Sequence, residues 1–283
     1  MNPIGIMQGR LLPPIDGKIQ AFPVERWAEE FARAADAGLE RIEWIYEFET
    51  AEAHPLASDG GLERVRRLAG ESGVGVRSVC ADYFMRARLI ADGRFNDESA
   101  ARLRWLVPRC AALGVQYIVL PFVDDSALQD TADVAALARG LKSLLREAEP
   151  HRVEYHLETA LPPAEFRALL ASVDHPLLHA NYDIGNSAAL GVRPADELPA
   201  IGPWLGSVHV KDRRLHGGTV PLGTGDADLD TCFRLLARMG YRGPLILQAA
   251  RDPAGNEVEL ARANREFVVR LWSAARVAEV TTR

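Results

Sequence analysis

Short apolar segments alternate with longer amphipathic segments along the whole chain. The apolar segments are rich in valine, isoleucine and leucine, as expected of parallel strands that are covered on both faces. They predict strands at residues 4–8, 41–45, 74–79, 117–122, 153–157, 179–183, 207–210 and 245–248. The amphipathic segments predict helices at residues 24–37, 60–72, 97–113, 131–149, 163–172, 194–201, 229–239 and 258–275. This alternation indicates an α/β fold with a parallel sheet.

Eight strand–helix units in 283 residues match the size of a (β/α)8 TIM barrel, for which about 250 residues are typical. The alternative is an open, doubly wound parallel sheet. That fold usually has a glycine-rich turn after its first strand, whereas the turn that follows Gln8 contains one glycine, Gly9. No linker or change of composition divides the sequence. We therefore predict a single TIM-barrel domain over residues 1–283.

Composition narrows the class of protein. The net charge is −6, which has the wrong sign for a surface that binds a nucleic-acid backbone. The cysteines, Cys80, Cys110 and Cys232, form no C-x-x-C pair, as is common in a reducing compartment. The N-terminus does not resemble a secretory signal, and no apolar run approaches the roughly 18 residues of a membrane span. We expect a cytoplasmic protein without a nucleic-acid or membrane partner.

Four consecutive predicted strands end in polar residues. These residues are Glu158, Asp183, His209 and Gln248. In a TIM barrel the C-terminal ends of the strands surround one mouth, so the four side chains can converge. Two carboxylates, an imidazole and a carboxamide suit Mn²⁺, Mg²⁺ or Co²⁺, and Zn²⁺ is also compatible. Each residue taken singly is more often structural, for example as a helix cap, but four at equivalent positions favour a shared site for one divalent metal.

The sequence resembles the xylose-isomerase-like TIM-barrel superfamily of sugar isomerases and epimerases. The resemblance covers nearly the whole chain. Its motifs here are Leu-Glu-Thr at 157–159, Tyr-Asp-Ile-Gly-Asn at 182–186, His-Val-Lys-Asp at 209–212, Gly-Thr-Gly at 223–225, and the segments 6–11 and 42–44. It implies a sugar or sugar phosphate as substrate, a homodimer or homotetramer, and one divalent metal, Mn²⁺ above others, held by Glu158, Asp183, His209 and residue 248. The family has a glutamate at the fourth position, so Gln248 departs from its pattern.

Gln248 leaves two reactions open. In the epimerases of this family, two metal-bound glutamates lie on opposite faces of the substrate carbon and act as a pair of bases. A carboxamide cannot be a general base, whereas Glu158 can. One base is enough for aldose–ketose isomerisation through an enediol, so we expect either an isomerase or an epimerase with a substitute second base. The candidates for that base are Glu43, Asp82 and Lys211.

Further polar residues are expected to bind the substrate. Lys211 lies two residues beyond His209 on the same face of the strand and, by the resemblance, orients substrate oxygens; with Glu158 it forms the predicted catalytic pair. The predicted substrate-binding residues are Gln8, Arg10, Glu43, Asn186 and Arg213. Arg213 belongs to a cationic, glycine-containing loop that could clamp an anion. His156, two residues before Glu158, is expected to be a hydrogen-bonded interior histidine.

Two functions of other classes remain as alternatives. One is a barrel that binds a sugar-like ligand without converting it, in which Gln248 marks lost activity. The other, less favoured, is a nuclease acting at abasic DNA sites, which the resemblance also includes. Such nucleases hold three metals and need more strand-end histidines and a basic groove, whereas this chain has seven histidines and an acidic balance.

Overall fold

A closed barrel of eight parallel strands forms the centre of the protein in a computed structural model, which describes residues 2–281. The barrel strands are β1 (Ile4–Met7), β2 (Arg41–Ile45), β3 (Gly75–Cys80), β4 (Tyr117–Phe122), β5 (Glu154–Thr159), β6 (Leu178–Asp183), β7 (Leu205–Val210) and β8 (Leu245–Leu247). Each strand pairs with its neighbours in chain order, and β8 closes the barrel by pairing with β1. The predicted (β/α)8 barrel is confirmed.

Helices follow the strands and cover the outside of the barrel. They are α1 (Glu29–Asp36), α2 (Asp59–Ser72), α3 (Tyr83–Arg86), α4 (Asp97–Leu113), α5 (Thr131–Ala148), α6 (Pro163–Val173), α7 (Ile184–Ala189), α8 (Pro194–Ile201), α9 (Leu229–Arg238) and α10 (Glu257–Thr281). The sequence signals at helix ends hold: Asn96 accepts hydrogen bonds from the Glu98 and Ser99 backbone amides at the start of α4, and Gly114 ends it with φ of 77°. Within residues 2–281, no helix combines the length and the apolarity needed to cross a bilayer.

The structure differs from the sequence prediction mainly in short elements. The helix expected from residue 24 begins at Glu29, because residues 24–28 form turns. Two short helices, α3 and α7, directly follow β3 and β6, and two small hairpins pair Ile90–Ala91 with Arg94–Phe95 and Asp212–Arg213 with Thr219–Val220. These elements of two to six residues are too short to show a hydrophobic period.

Side chains alternate between the two sides of each barrel strand. Outward side chains such as Ile42, Leu120 and Val208 join the large apolar core between the barrel and the helices. The inward side chains of β1 to β4 include a separate apolar cluster, which we call the interior apolar cluster: Met7, Ile45, Cys80, Tyr117 and Val119. The inward side chains of β5 to β7 are polar instead, and they lead up to the mouth of the barrel.

Candidate active site

Three buried side chains meet at the C-terminal ends of β5, β6 and β7. Glu158, Asp183 and His209, which we call the acid–histidine cluster, each offer one metal-ligating atom, and these atoms lie within 4.8 Å of one another. His209 Nδ1 is 3.4 Å from Glu158 Oε2 and 3.8 Å from Asp183 Oδ2. The side chains come from neighbouring strands because consecutive strands of a barrel end at the same mouth.

A carboxylate behind the histidine fixes its orientation. Glu43 Oε1 on β2 lies 2.6 Å from His209 Nε2, and both side chains are 0% exposed. Burial opposes the charged imidazolium, but the attraction of Glu43 and the hydrogen bonds from Asp183 and Glu158 outweigh it and raise the pKa of His209 well above its usual range. The Nε2 atom is committed to Glu43, so Nδ1 is the atom that faces the two carboxylates. Glu43 was predicted to contact substrate; the structure places it behind His209.

Two asparagines hold Glu158 and Asp183 in place. Asn186 Nδ2 donates to Glu158 Oε1 at 2.6 Å, and Asn181 Nδ2 donates to Glu158 Oε2 at 3.1 Å. The backbone amide of Asn186 also donates to Asp183 Oδ1, which caps the short helix α7. Asn186 was predicted from the sequence, whereas Asn181 was not. Its signal was available, because Asn181 lies two residues before Asp183 and therefore on the same face of β6.

Lys211 connects the acid–histidine cluster to Gln248. Its Nζ atom lies 3.3 Å from Asp183 Oδ2 and 3.2 Å from both Asn186 Oδ1 and Gln248 Oε1. Burial would raise the pKa of Asp183, but the neighbouring ammonium outweighs burial and lowers it. The predicted residues Glu158, Asp183, His209, Lys211 and Gln248 are thus brought together, although the carboxamide oxygen of Gln248 faces an ammonium group.

The donor set was tested against a divalent metal, the group that the resemblance implies. Two carboxylates and an imidazole whose far nitrogen is held by a third carboxylate form a recurrent arrangement around protein-bound divalent cations. The separations of 3.4 Å and 3.8 Å between His209 and the two carboxylates suit ligands of one ion. Glu158, Asp183 and His209 therefore fit such a cation. Gln248 offers one neutral oxygen, which accepts a hydrogen bond from Lys211.

Two further polar residues line the mouth beside Gln248. Gln20, from the loop after β1, accepts a hydrogen bond from Gln248 Nε2 at 3.0 Å through Oε1 and donates to Asp82 Oδ2 at 2.7 Å. Burial raises the pKa of Asp82 to about 6. Gln20 was missed in the sequence, because it lies in an irregular segment with no pattern that marks a functional residue.

The remaining predicted residues occupy different positions. Arg213 donates to Asn186 Oδ1 at 2.9 Å and to the Gly217 carbonyl, so it borders the acid–histidine cluster. Arg10 is 5% exposed, and its guanidinium donates to the Ile19 carbonyl and to Gln20. Burial and the neighbouring Arg251 lower the pKa of Arg10 to about 9.

Gln8 and His156 lie away from the cluster. Gln8 is 0% exposed, and its side-chain oxygen accepts the Ile45 amide between β1 and β2, so the structure does not bring it to the cluster. His156 lies deeper in the barrel, with Nδ1 at 2.8 Å from Ser207 Oγ and Nε2 at 3.0 Å from Glu154 Oε2. It is a hydrogen-bonded interior histidine, as the sequence suggested.

Comparison with known proteins gives a consistent family. A family model described as xylose isomerase-like TIM barrel matches residues 31–271. Among curated proteins, the chain is 27% identical over 263 residues to an L-ribulose-5-phosphate 3-epimerase of Shigella flexneri serotype 5b, which covers 85% of this chain and 89% of the relative.

Solved structures share the fold. An L-ribulose 3-epimerase superposes with a TM-score of 0.77 over 100% of this chain and 99% of its own, at 19% identity. A xylose isomerase-like TIM-barrel protein of Mycobacterium smegmatis, solved in complex with magnesium, has a TM-score of 0.71 at 18% identity, with 98% of each chain covered. At these identities the structural likeness shows the fold alone.

Proposed function

This chain belongs to the xylose isomerase-like TIM-barrel family, and from that premise we propose that it is a sugar epimerase or isomerase that transfers a proton next to the carbonyl of a ketose or ketose phosphate. The observation that carries the proposal is the setting of Glu158. Its carboxylate lies at the barrel mouth, is oriented by two asparagine amides, and adjoins an ammonium group and the His209–Asp183 pair. The curated relative, an epimerase of a ketose phosphate, supports the same chemistry.

One divalent cation is part of the proposal. Glu158, Asp183 and His209 would hold it, and the combination of carboxylate oxygens with one imidazole nitrogen suits Mn²⁺ better than Mg²⁺, which prefers oxygen ligands alone. When bound, the metal would polarise the substrate carbonyl and stabilise negative charge on its oxygen. The structural relative solved with magnesium makes Mg²⁺ the first ion to compare with Mn²⁺.

The side chains of the mouth have separate tasks in this reaction. Glu158 removes the proton from the carbon beside the carbonyl, and Asn181 and Asn186 hold its two oxygens in the required orientation. Lys211 donates a hydrogen bond to a substrate oxygen, because an ammonium has three N–H donors and can keep its bond to Asp183 while it does so. Arg213, beside Asn186, binds an oxygen or a phosphate of the substrate.

Epimerisation is the favoured reaction, and isomerisation is the second candidate. The similar curated protein is a 3-epimerase, which favours inversion at a carbon beside the carbonyl. Gln248 favours the second candidate, because a carboxamide cannot supply the base that inversion needs on the second face. One carboxylate suffices to move a proton between adjacent carbons on one face.

A product analysis tests the proposal. The purified protein is incubated with Mn²⁺ or Mg²⁺ and with L-ribulose 5-phosphate, L-ribulose or D-allulose, and the products are separated by chromatography and identified by NMR. We expect a C3 epimer from at least one ketose; an aldose product would identify an isomerase. The proposal is wrong if none of the three ketoses is converted or exchanges a carbon-bound proton with D₂O.

Metal analysis separates the alternatives to this function. About one divalent ion per chain is the expected content. Several ions per chain would favour the nuclease, and a protein that neither retains nor binds Mn²⁺ would favour a sugar-binding barrel without catalysis. The acid–histidine cluster is the one group of three metal-ligating acidic, histidine or cysteine side chains found within the part of the chain that the structure describes.

A further inference from the structure

A directed chain of hydrogen bonds crosses the mouth from Lys211 to Asp82. The ammonium of Lys211 has only donors, so the atom of Gln248 that faces it must be the oxygen. The amide nitrogen of Gln248 then faces Gln20, which must present its own oxygen there. The nitrogen of Gln20 is left to donate to the carboxylate of Asp82 at 2.7 Å. The chemistry of the groups thus fixes the orientation of both carboxamides.

Asp82 has none of the usual structural tasks of a half-buried aspartate. It occupies the N-cap position of α3, yet its side chain accepts no hydrogen bond from that helix. Its carboxylate accepts from the Gln20 amide and from the Cys80 thiol at 3.2 Å. Within residues 2–281, no lysine or arginine forms an ion pair with it, and the nearby acids Glu158 and Glu47 repel its charge. An acid held without a cation or a helix cap is available for proton transfer.

The barrel places Asp82 on the side of the mouth that Gln248 occupies. The strands run in the order β8, β1, β2, β3 around the barrel, and Gln20 from the loop after β1 spans the gap between the ends of β8 and β3. The carbonyl of Ile19, next to Gln20, accepts hydrogen bonds from Arg10 and Arg251, which anchor this loop. Glu158 comes from β5, three strands from β8 by way of β7 and β6.

We propose that Asp82 is the second proton-transfer group of this site and serves the face of the substrate carbon that Glu158 does not reach. The inference rests on the proposed epimerase function. Glu158 accepts the proton of the carbon beside the carbonyl, which leaves an enediolate, and the protonated Asp82 delivers a proton to the opposite face. The carbon is inverted, Asp82 becomes the carboxylate, and exchange with water resets both acids. In the reverse reaction the two groups exchange roles.

The hydrogen-bond chain accommodates one carboxylate, at residue 82 or at residue 248. A carboxylate introduced by Gln248→Glu would face the oxygen of Gln20, so Gln20 would have to turn its amide around. Its oxygen would then face the carboxylate of Asp82, and the bond between them would be lost. In the double variant Asp82→Asn/Gln248→Glu, the turned Gln20 donates to the new carboxylate and accepts from the new amide. The acid has then moved along an intact chain.

Hydrogen exchange in D₂O tests the role of Asp82 directly. The wild type and the variants Asp82→Asn, Glu158→Gln, Gln248→Glu and Asp82→Asn/Gln248→Glu are incubated with Mn²⁺ and both C3 epimers of whichever of the three ketoses the wild type converts. We expect Asp82→Asn to lose epimerisation by about 100-fold while Glu158 still exchanges the C3 proton of one epimer. Glu158→Gln should exchange only the other epimer. The double variant should epimerise about 10-fold faster than Asp82→Asn.

The control is Asp228→Asn, the same substitution at a helix N-cap remote from the mouth, which should epimerise as the wild type does. The inference is overturned if the wild type epimerises and folded Asp82→Asn stays within threefold of it, or loses exchange of both epimers. If Asp82→Asn does not fold, the double variant decides: activity supports the exchange of positions, and a folded, inactive protein overturns it. A wild type that converts none of the ketoses overturns the proposed function itself, and this inference with it.

Discussion

The two halves of the barrel interior differ sharply although their strands pair in the same way. On β1 to β4 the interior apolar cluster fills the barrel, whereas on β5 to β7 the inward side chains form a hydrogen-bonded polar set. That set runs from His156 through Ser207 and Asn181 to Glu158. The outward side chains of both halves are equally apolar. The chemistry of this protein therefore depends on alternate residues of half its strands, and the other half supplies a packed wall.

One buried pair joins the two halves. Glu43, on β2 beside the interior apolar cluster, reaches across to His209 on β7. The wall is therefore also a support, because it carries the carboxylate that orients a predicted metal ligand. Substitutions in the two halves should separate stability from activity, and Glu43 should be the exception to that division.

The largest effect is expected in the polar half, from Glu158→Gln. The substitution keeps the shape of the side chain and removes the base and one negative charge, so turnover should fall by roughly 10²–10⁴-fold. Steady-state rates with the converted ketose measure this, and the unfolding midpoint should change little. Glu165→Gln, on the exposed side of α6, is the matched control and should be fully active. A variant within tenfold of the wild type would show that Glu158 is not the base.

The next effect is expected in the apolar half, from Met7→Ala. Met7 is 0% exposed within the interior apolar cluster, so its truncation leaves a cavity and should lower the free energy of unfolding by about 2–5 kcal/mol. Denaturant unfolding measures this loss. The affinity for Mn²⁺ should stay within threefold of the wild type, because no side chain of the acid–histidine cluster is changed. A large loss of affinity at unchanged stability would contradict the division between wall and site.

Local patterns predicted one half better than the other. The strands could be predicted because each is a short apolar run, and Glu158, Asp183 and His209 could be found because each stands at a strand end. The Glu43–His209 pair could not be read from the sequence, because its partners are 166 residues apart and meet only when the barrel closes.

Gln20 shows the other limit of prediction. Its position depends on two arginines that anchor the loop at the Ile19 carbonyl, and one of them, Arg251, lies 232 residues away. No periodicity marks a side chain that is positioned by tertiary contacts alone. The hydrogen-bond chain to Asp82 therefore emerges only from the folded structure, although the sequence had already included Asp82 among the candidates for a second base.

A smaller effect is expected from Glu43→Gln, which weakens the link between the halves. The amide keeps the size of the side chain but loses the charge that stabilises and orients His209, so the affinity for Mn²⁺ should fall by about 10–100-fold. Titration against a competing chelator measures the change. Glu154→Gln is the matched control, because Glu154 pairs with the interior histidine His156 away from the cluster. Equal losses of affinity in both variants would show that the orientation of His209 is not the cause.

The smallest effect concerns a second buried histidine, His54, and contrasts with His209. His54 is 1% exposed among aromatic rings, its Nε2 lies 3.1 Å from the Ile45 carbonyl, and burial lowers its pKa from 6.5 to about 3. The folded protein holds it neutral, whereas the unfolded chain takes up a proton as the pH falls through about 6.5. The stability that depends on the neutral ring is therefore complete above pH 6.5 and declines below it by about 1.4 kcal/mol per pH unit.

Denaturant unfolding of the wild type and His54→Asn at pH 7.5 and about pH 5.5 isolates this contribution. Asparagine can still accept the Leu56 amide bond, and the acids that titrate in this range are common to both proteins and cancel in the difference. Between the two pH values the wild type should lose about 1.4 kcal/mol more than the variant. Parallel losses would show that the ring of His54 is protonated in the fold, and its contrast with His209, whose pKa is raised by carboxylates, would disappear.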